Sequence, residues 1–195
     1  GIRAPRPSGA PLRLLYFGFV WRGRNIETCV HALHAVHAAG VPATLTIAGG
    51  IRGDEYRREI VELAASLGVA DAVTFTGDLP MPELSQIIAD ADIALLPFAS
   101  GVSTGRSTFV VALAHGLPVV TMGSPDNLVD EFVPGENLLC VSPDDADGFV
   151  RETVRMATDA ALRARVAGNT PALAAYFSWD KIARTVAALP SYAAL

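Results

Sequence analysis

The chain has 195 residues, 51% of them hydrophobic and 18% charged, with a formal net charge of -5. That balance fits one globular domain with enough apolar material for a core. A mildly acidic chain gives no reason to expect nucleic acid or an anionic membrane as partner, because both are recognised through basic surface.

Residues 1–11, rich in Pro, Gly and Arg, read as a linker or the tail of a preceding segment, which leaves 12–195 as one domain. Apolar runs and amphipathic stretches then alternate. A strand is expected over 12–19, ending near Gly18, and a helix over 25–39 closed by Gly40. A strand at 43–48 ends at Gly49-Gly50, and a helix at 54–67 is closed by Gly68. A strand at 72–76 runs into Gly77, and a short helix covers 82–89. The run 93–97 is a buried strand closed by proline, followed by a small-residue loop at 99–107. A helical segment at 108–115 stops at Gly116, with Pro118 and a strand at 119–122 beyond. A turn or short helix at 126–132, a strand at 138–141 and closing helices at 144–167 and 179–189 complete the chain. Such alternation predicts an α/β fold, a Rossmann-like doubly wound parallel sheet with helices on both faces.

No run is long enough to span a bilayer, and the N-terminus shows no signal-peptide pattern. Cys29 and Cys140 lie in apolar runs and read as free thiols of a reducing compartment, so a cytoplasmic location is expected.

In an open parallel sheet, ligands bind at the carboxyl ends of the strands, where the strand order reverses. The loops there are 18–24, 49–54, 77–80, 97–107 and 123–126, and each contains glycine. In the order 3-2-1-4-5-6 the first and fourth strands are neighbours, so Arg22 and Arg24 would face the loop Ser103 to Thr108. That loop opens a helix whose first amides lack partners and whose dipole favours an anion. Arg106 adds a forked donor, and Ser107 or Thr108 can cap the helix or donate to a ligand. On the residues alone a plain connection, with capping hydroxyls and solvated arginines, remains equally open. His31, His34 and His37 step along one helix face and read as solvent-edge residues, not metal ligands. His115, at the C-terminal end of its helix, is expected to be a cap or core-edge residue and to point away from the ligand edge. No Gly-x-Ser-x-Gly elbow follows a strand, which argues against a serine hydrolase.

Ala91-Asp92, Leu96-Pro97, Ala112, Ala114 and Gly116-Leu117-Pro118-Val119-Val120 resemble the donor-site segment of the GT-B glycosyltransferases of the E-x7-E retaining group (glycosyl transferases group 1). Further matches are Ile47-Ala48-Gly49-Gly50, Val73-Thr74-Phe75-Thr76-Gly77, Glu83-Leu84, Asn137-Leu138-Leu139 with Pro143-Asp144, and Phe177-Ser178-Trp179. The resemblance covers residues 14–179. It implies the C-terminal, donor-binding half of a two-domain transferase that moves a sugar from a nucleoside diphosphate sugar to an acceptor, with retention. The acceptor itself is not specified; an N-terminal domain before Gly1 would supply its site, and no cofactor or metal is expected.

Residue by residue, the resemblance places Arg24 at the group's catalytic lysine. Arg22 would stand in for an early arginine, whose own place falls at Phe19. Gly18, Gly49, Gly77, Asp78 and Leu79 would lie along the nucleotide, the last two against its base. Ser103, Thr104, Gly105, Arg106, Ser107 and Thr108 would hold the diphosphate and sugar. The group's two glutamates fall at Ser103 and Val111, neither a carboxylate. Two alternatives therefore stand beside the transferase: a non-catalytic GT-B-like binding or scaffolding module, and a sugar-nucleotide epimerase of GT-B shape.

Overall fold

The computed structural model describes residues 9–124 and 128–187. Six parallel strands form one sheet in the order β3-β2-β1-β4-β5-β6. They are β1 Leu12–Phe17, β2 Ala43–Ala48, β3 Val73–Gly77, β4 Ile93–Leu96, β5 Val119–Met122 and β6 Leu139–Val141. The order reverses between β1 and β4, as expected. There the register Leu14↔Ile93 is pinned from below: the buried Asp92 carboxylate accepts from Arg13 N at 2.8 Å.

The strands are apolar at nearly every position because both faces are covered. Leu12, Leu14 and Tyr16 of β1 point into one core with Leu45, Ile47, Ile93, Leu95 and Val120. Leu15 and Phe17 point into the other with Ala94, Leu96 and Val119. Helices α1 Ile26–Ala38, α2 Asp54–Ser66 and α5 Ala146–Thr158 close the first face. Helices α3 Met81–Asp90 and α4 Ser107–Ala114 close the second. Helix α6 Ala160–Tyr176 joins the two: Leu162 and Val166 pack in the first core, Leu173 in the second. Phe109, Phe132 and Phe177 interlock beneath α4, with ring centroids 5.2 to 6.3 Å apart.

The C-terminal third departs from expectation. The helix expected over 144–167 is two helices, broken at Asp159 (φ -98, ψ 95), whose carboxylate accepts from Leu162 N at 2.8 Å and so starts α6. Helix α6 then runs through Pro171, which has no N–H to give Ala167 O; the Thr170 hydroxyl donates to that carbonyl instead, at 2.8 Å. Over 128–132 the chain makes a turn, Phe132 N to Val129 O at 2.9 Å, one of the two forms expected there. The last helix, α7, spans Trp179–Ala187. The linker expected at 1–11 lies largely outside the described residues, as do positions 125–127 and 188–189 of the expected elements.

Both cysteines are free; Cys29 is buried in α1, and burial pushes the Cys140 thiol up to about 11. His34 and His37 each place a ring nitrogen on a backbone carbonyl, Leu67 O at 3.0 Å and Ala43 O at 2.8 Å. Among the described residues no helix is long and apolar enough to cross a membrane.

Candidate functional site

A cleft of about 590 Å³ opens at the carboxyl edge of the sheet, over the β1–β4 reversal. Its back wall is made of strand-end glycines. Gly18 N donates to Ala48 O at 2.9 Å and Gly49 N to Gly77 O at 3.1 Å, so three adjacent strands finish in step. Gly49 has φ 135, and a Cβ there would stand 2.1 Å from Gly18 O; no other residue fits. Gly18 in turn faces α4: a Cβ on it would lie 3.5 Å from Thr108 Cγ2. The loops after β1 and β4 therefore meet, as the strand order required.

Arg24 reaches the cleft because the backbone on either side of it is left-handed. Gly23 has φ 93 and Asn25 φ 52, the latter the sole non-glycine residue with positive φ among those described. The Arg24 guanidinium sits 5.5 Å from the Trp21 ring centroid, and its Nε is buried with no hydrogen-bond partner. A buried guanidinium N–H left unpaired is costly unless something else binds there. Tyr16, on the same wall, is held above its usual range by burial, with the Arg24 charge pulling it down.

Facing Arg24 is the start of α4. The first intrahelical bond runs from Val110 N to Arg106 O at 3.1 Å, and no side chain caps the helix. The amides of Ser107, Thr108 and Phe109 are the leading donors of a helix whose positive end points at the cleft. Arg106 is tethered within its own loop. Its Nε donates to Gly101 O at 3.3 Å, a second nitrogen to Ser100 Oγ, and its guanidinium carbon lies 4.8 Å from the Phe98 ring centroid.

Of the residues singled out from sequence, Gly18, Arg24, Gly49, Asp78, Gly105, Arg106, Ser107 and Thr108 line this one cleft. Arg22 lies apart: 66% exposed, it pairs with Glu59 of α2 and leans over the Tyr56 ring, 5.8 Å from its centroid. Gly77 backs the wall through its carbonyl without lining the space. Leu79 is half-buried beside it, and Ser103 and Thr104 are exposed on the loop before α4. Val111 lines the cleft one turn into α4.

The other end of the cleft holds side chains that the sequence did not put at a ligand site: Met81, Leu84, Ser85 and Ile88 of α3, with His115. His115 was expected to point away from the ligand edge, yet it lines the cleft and its Nε2 meets Ser85 Oγ at 2.9 Å. Helix α4 has only eight residues, about 12 Å of rise, and helical side chains lean back toward the N-terminus. That lean returns the ring to the level of Val111, whose carbonyl it meets through Nδ1 at 2.8 Å. The shortness of the helix expected over 108–115, closed by Gly116, was the available signal.

Residues 11–159 match the family described as Glycosyl transferases group 1, and the chain belongs to that family. It is 30% identical to a D-inositol 3-phosphate glycosyltransferase of Stackebrandtia nassauensis, covering 93% of this chain and 42% of that protein. It is 27% identical to a glycogen synthase of Mycobacterium tuberculosis, covering 94% and 43%. The chain thus spans less than half the length of the curated relatives it matches. In structure it is similar to a sucrose-phosphate synthase from Thermosynechococcus elongatus, with TM-score 0.78 and 27% identity over 97% of this chain and 47% of that one. HepE of Anabaena, in complex with UDP and glucose, shares the fold at TM-score 0.74 and 20% identity, over 92% and 49%. The doubly wound sheet is thus the GT-B fold that these structures share.

Proposed function

We propose that the cleft holds a nucleoside diphosphate sugar and that the chain is the donor-binding half of a retaining glycosyltransferase. The observation that carries this is the buried, unpartnered Nε of Arg24 set against the uncapped start of α4. Both features supply donors at one place, and a diphosphate is the ligand that uses them together.

As the bond between sugar and diphosphate breaks, negative charge grows on the departing phosphate oxygen. Arg24 is the proposed catalytic residue, its fixed positive charge lying beside that oxygen. The α4 amides and helix dipole add preorganised donors that need no rearrangement as the charge develops. Arg106, already oriented by Phe98 and Gly101, supplies a second positive group. No metal or cofactor is assigned a part. Ser103 and Val111 stand where the family resemblance puts glutamates, so the sugar is held with fewer charged contacts. Relatives more than twice this length support a second domain that brings the acceptor and closes the cleft. The free thiols accord with a cytoplasmic protein.

Calorimetric titration of UDP, GDP and ADP tests the reading, UDP first because the Anabaena neighbour was crystallised with it. At least one should bind. Binding of none would favour the scaffolding alternative. Product analysis on the full-length protein, with the bound nucleotide's sugar as donor, then separates transfer from epimerisation.

A further inference from the structure

Two polar side chains meet inside the apolar end of the cleft. Ser85 of α3 and His115 beyond α4 are joined Oγ to Nε2 at 2.9 Å, and Nδ1 of the same ring lies 2.8 Å from Val111 O. A carbonyl can only accept, so Nδ1 carries the ring proton. In the neutral ring Nε2 is then an acceptor, and the Ser85 hydroxyl must donate to it. With its one proton committed, the Ser85 oxygen presents lone pairs alone to the cleft.

Leu84, Ile88 and Val111 line the same cleft. Apolar walls with one oriented polar group suit a flat ring with apolar faces and a polar edge. The spacing also fits. Val111 stands about 6 Å along α4 from Ser107 at 1.5 Å per residue, within the reach of a nucleoside whose diphosphate rests on the helix start.

We infer that Ser85 accepts a hydrogen bond from an N–H on the nucleobase edge of the bound donor, with His115 the positioning residue that fixes the hydroxyl as an acceptor. The inference rests on the reading of the α4 start as the diphosphate site. It makes base recognition a property of α3 and the far end of α4, separate from the anion grip.

Calorimetry with inorganic pyrophosphate, and with UDP, GDP and ADP, tests it on the wild-type protein and on Ser85→Ala, His115→Phe and His115→Gln. Ser85→Ala and His115→Phe should each weaken the preferred nucleoside diphosphate about tenfold, the loss of one oriented hydrogen bond, with pyrophosphate affinity held within about twofold. His115→Gln, whose amide oxygen can take the Ser85 proton, should recover most of the loss. The 2′-deoxy form of the preferred nucleotide should suffer the same loss as the ribonucleotide. Unchanged nucleotide affinity, an equal fall for pyrophosphate, or a loss confined to the ribonucleotide would each overturn the inference. A wild-type protein that binds pyrophosphate as tightly as any nucleotide would overturn it while sparing the anion site. A protein that binds neither would overturn both.

Discussion

The starts of α4 and α5 stand at the same edge of the sheet and are finished in opposite ways. At α5, Asp145 accepts from Gly148 N at 2.7 Å and takes Arg151 at 3.3 Å, so both the leading amides and the dipole meet a local carboxylate. At α4 the cap position is Arg106, no side chain caps the helix, and a second arginine stands opposite with a buried donor unpaired. One end is satisfied by its own chain; the other is left to a ligand. At the β1–β4 reversal the following helices go to opposite faces of the sheet, α1 to one and α4 to the other, which leaves a crevice beside the start of α4. A carboxylate cap on α4 would steady the helix and repel a diphosphate.

This contrast can be broken most forcefully at the cleft wall. Gly49→Ala puts a Cβ 2.1 Å from Gly18 O at a left-handed backbone position, and should cost about 3 kcal/mol of stability or more. A melting temperature within a few degrees of wild type would show that the wall yields. Arg24→Ala should weaken nucleoside diphosphate binding by about 1.5–3 kcal/mol, the size of a charged hydrogen bond, and less so at high salt. Its thermal stability should barely change, because the buried donor it removes has no partner in the protein. Asp145→Ala reverses the pattern: about 1 kcal/mol of stability lost on denaturant unfolding, with nucleotide affinity unchanged. Ser107→Ala should leave stability within about 0.5 kcal/mol, since no capping bond is lost there. A loss matching that of Asp145→Ala would mean that α4 is capped after all.

Much of this edge was legible in the chain. Apolar runs ending in Gly18, Gly49 and Gly77 located the wall, and alternation of strand and helix implied the order that sets β1 beside β4. Arg24 and the Gly105 to Thr108 segment followed from that order. What escaped depends on contacts between segments far apart in sequence. Arg22 looks like Arg24 in sequence, but it is drawn to Glu59 of α2. His115 belongs by sequence to the far end of its helix, and only the shortness of α4 and the partnership with Ser85 bring it into the cleft. The break at Asp159 was hidden because the apolar periodicity runs on through it, while the cap bond to Leu162 N is a three-residue signal inside a longer pattern. Pro171 marks a stop that Thr170 cancels.

The most direct test of the central claim compares the two helix starts in one experiment. Inorganic pyrophosphate is titrated into the isotopically labelled protein while backbone amide resonances are followed. Progressive, saturable shifts are expected at the Ser107, Thr108 and Phe109 amides, with Ala146 to Gly148 at the start of α5 unmoved. Shifts at α5 equal to those at α4, or none at α4 at saturating pyrophosphate, would contradict it.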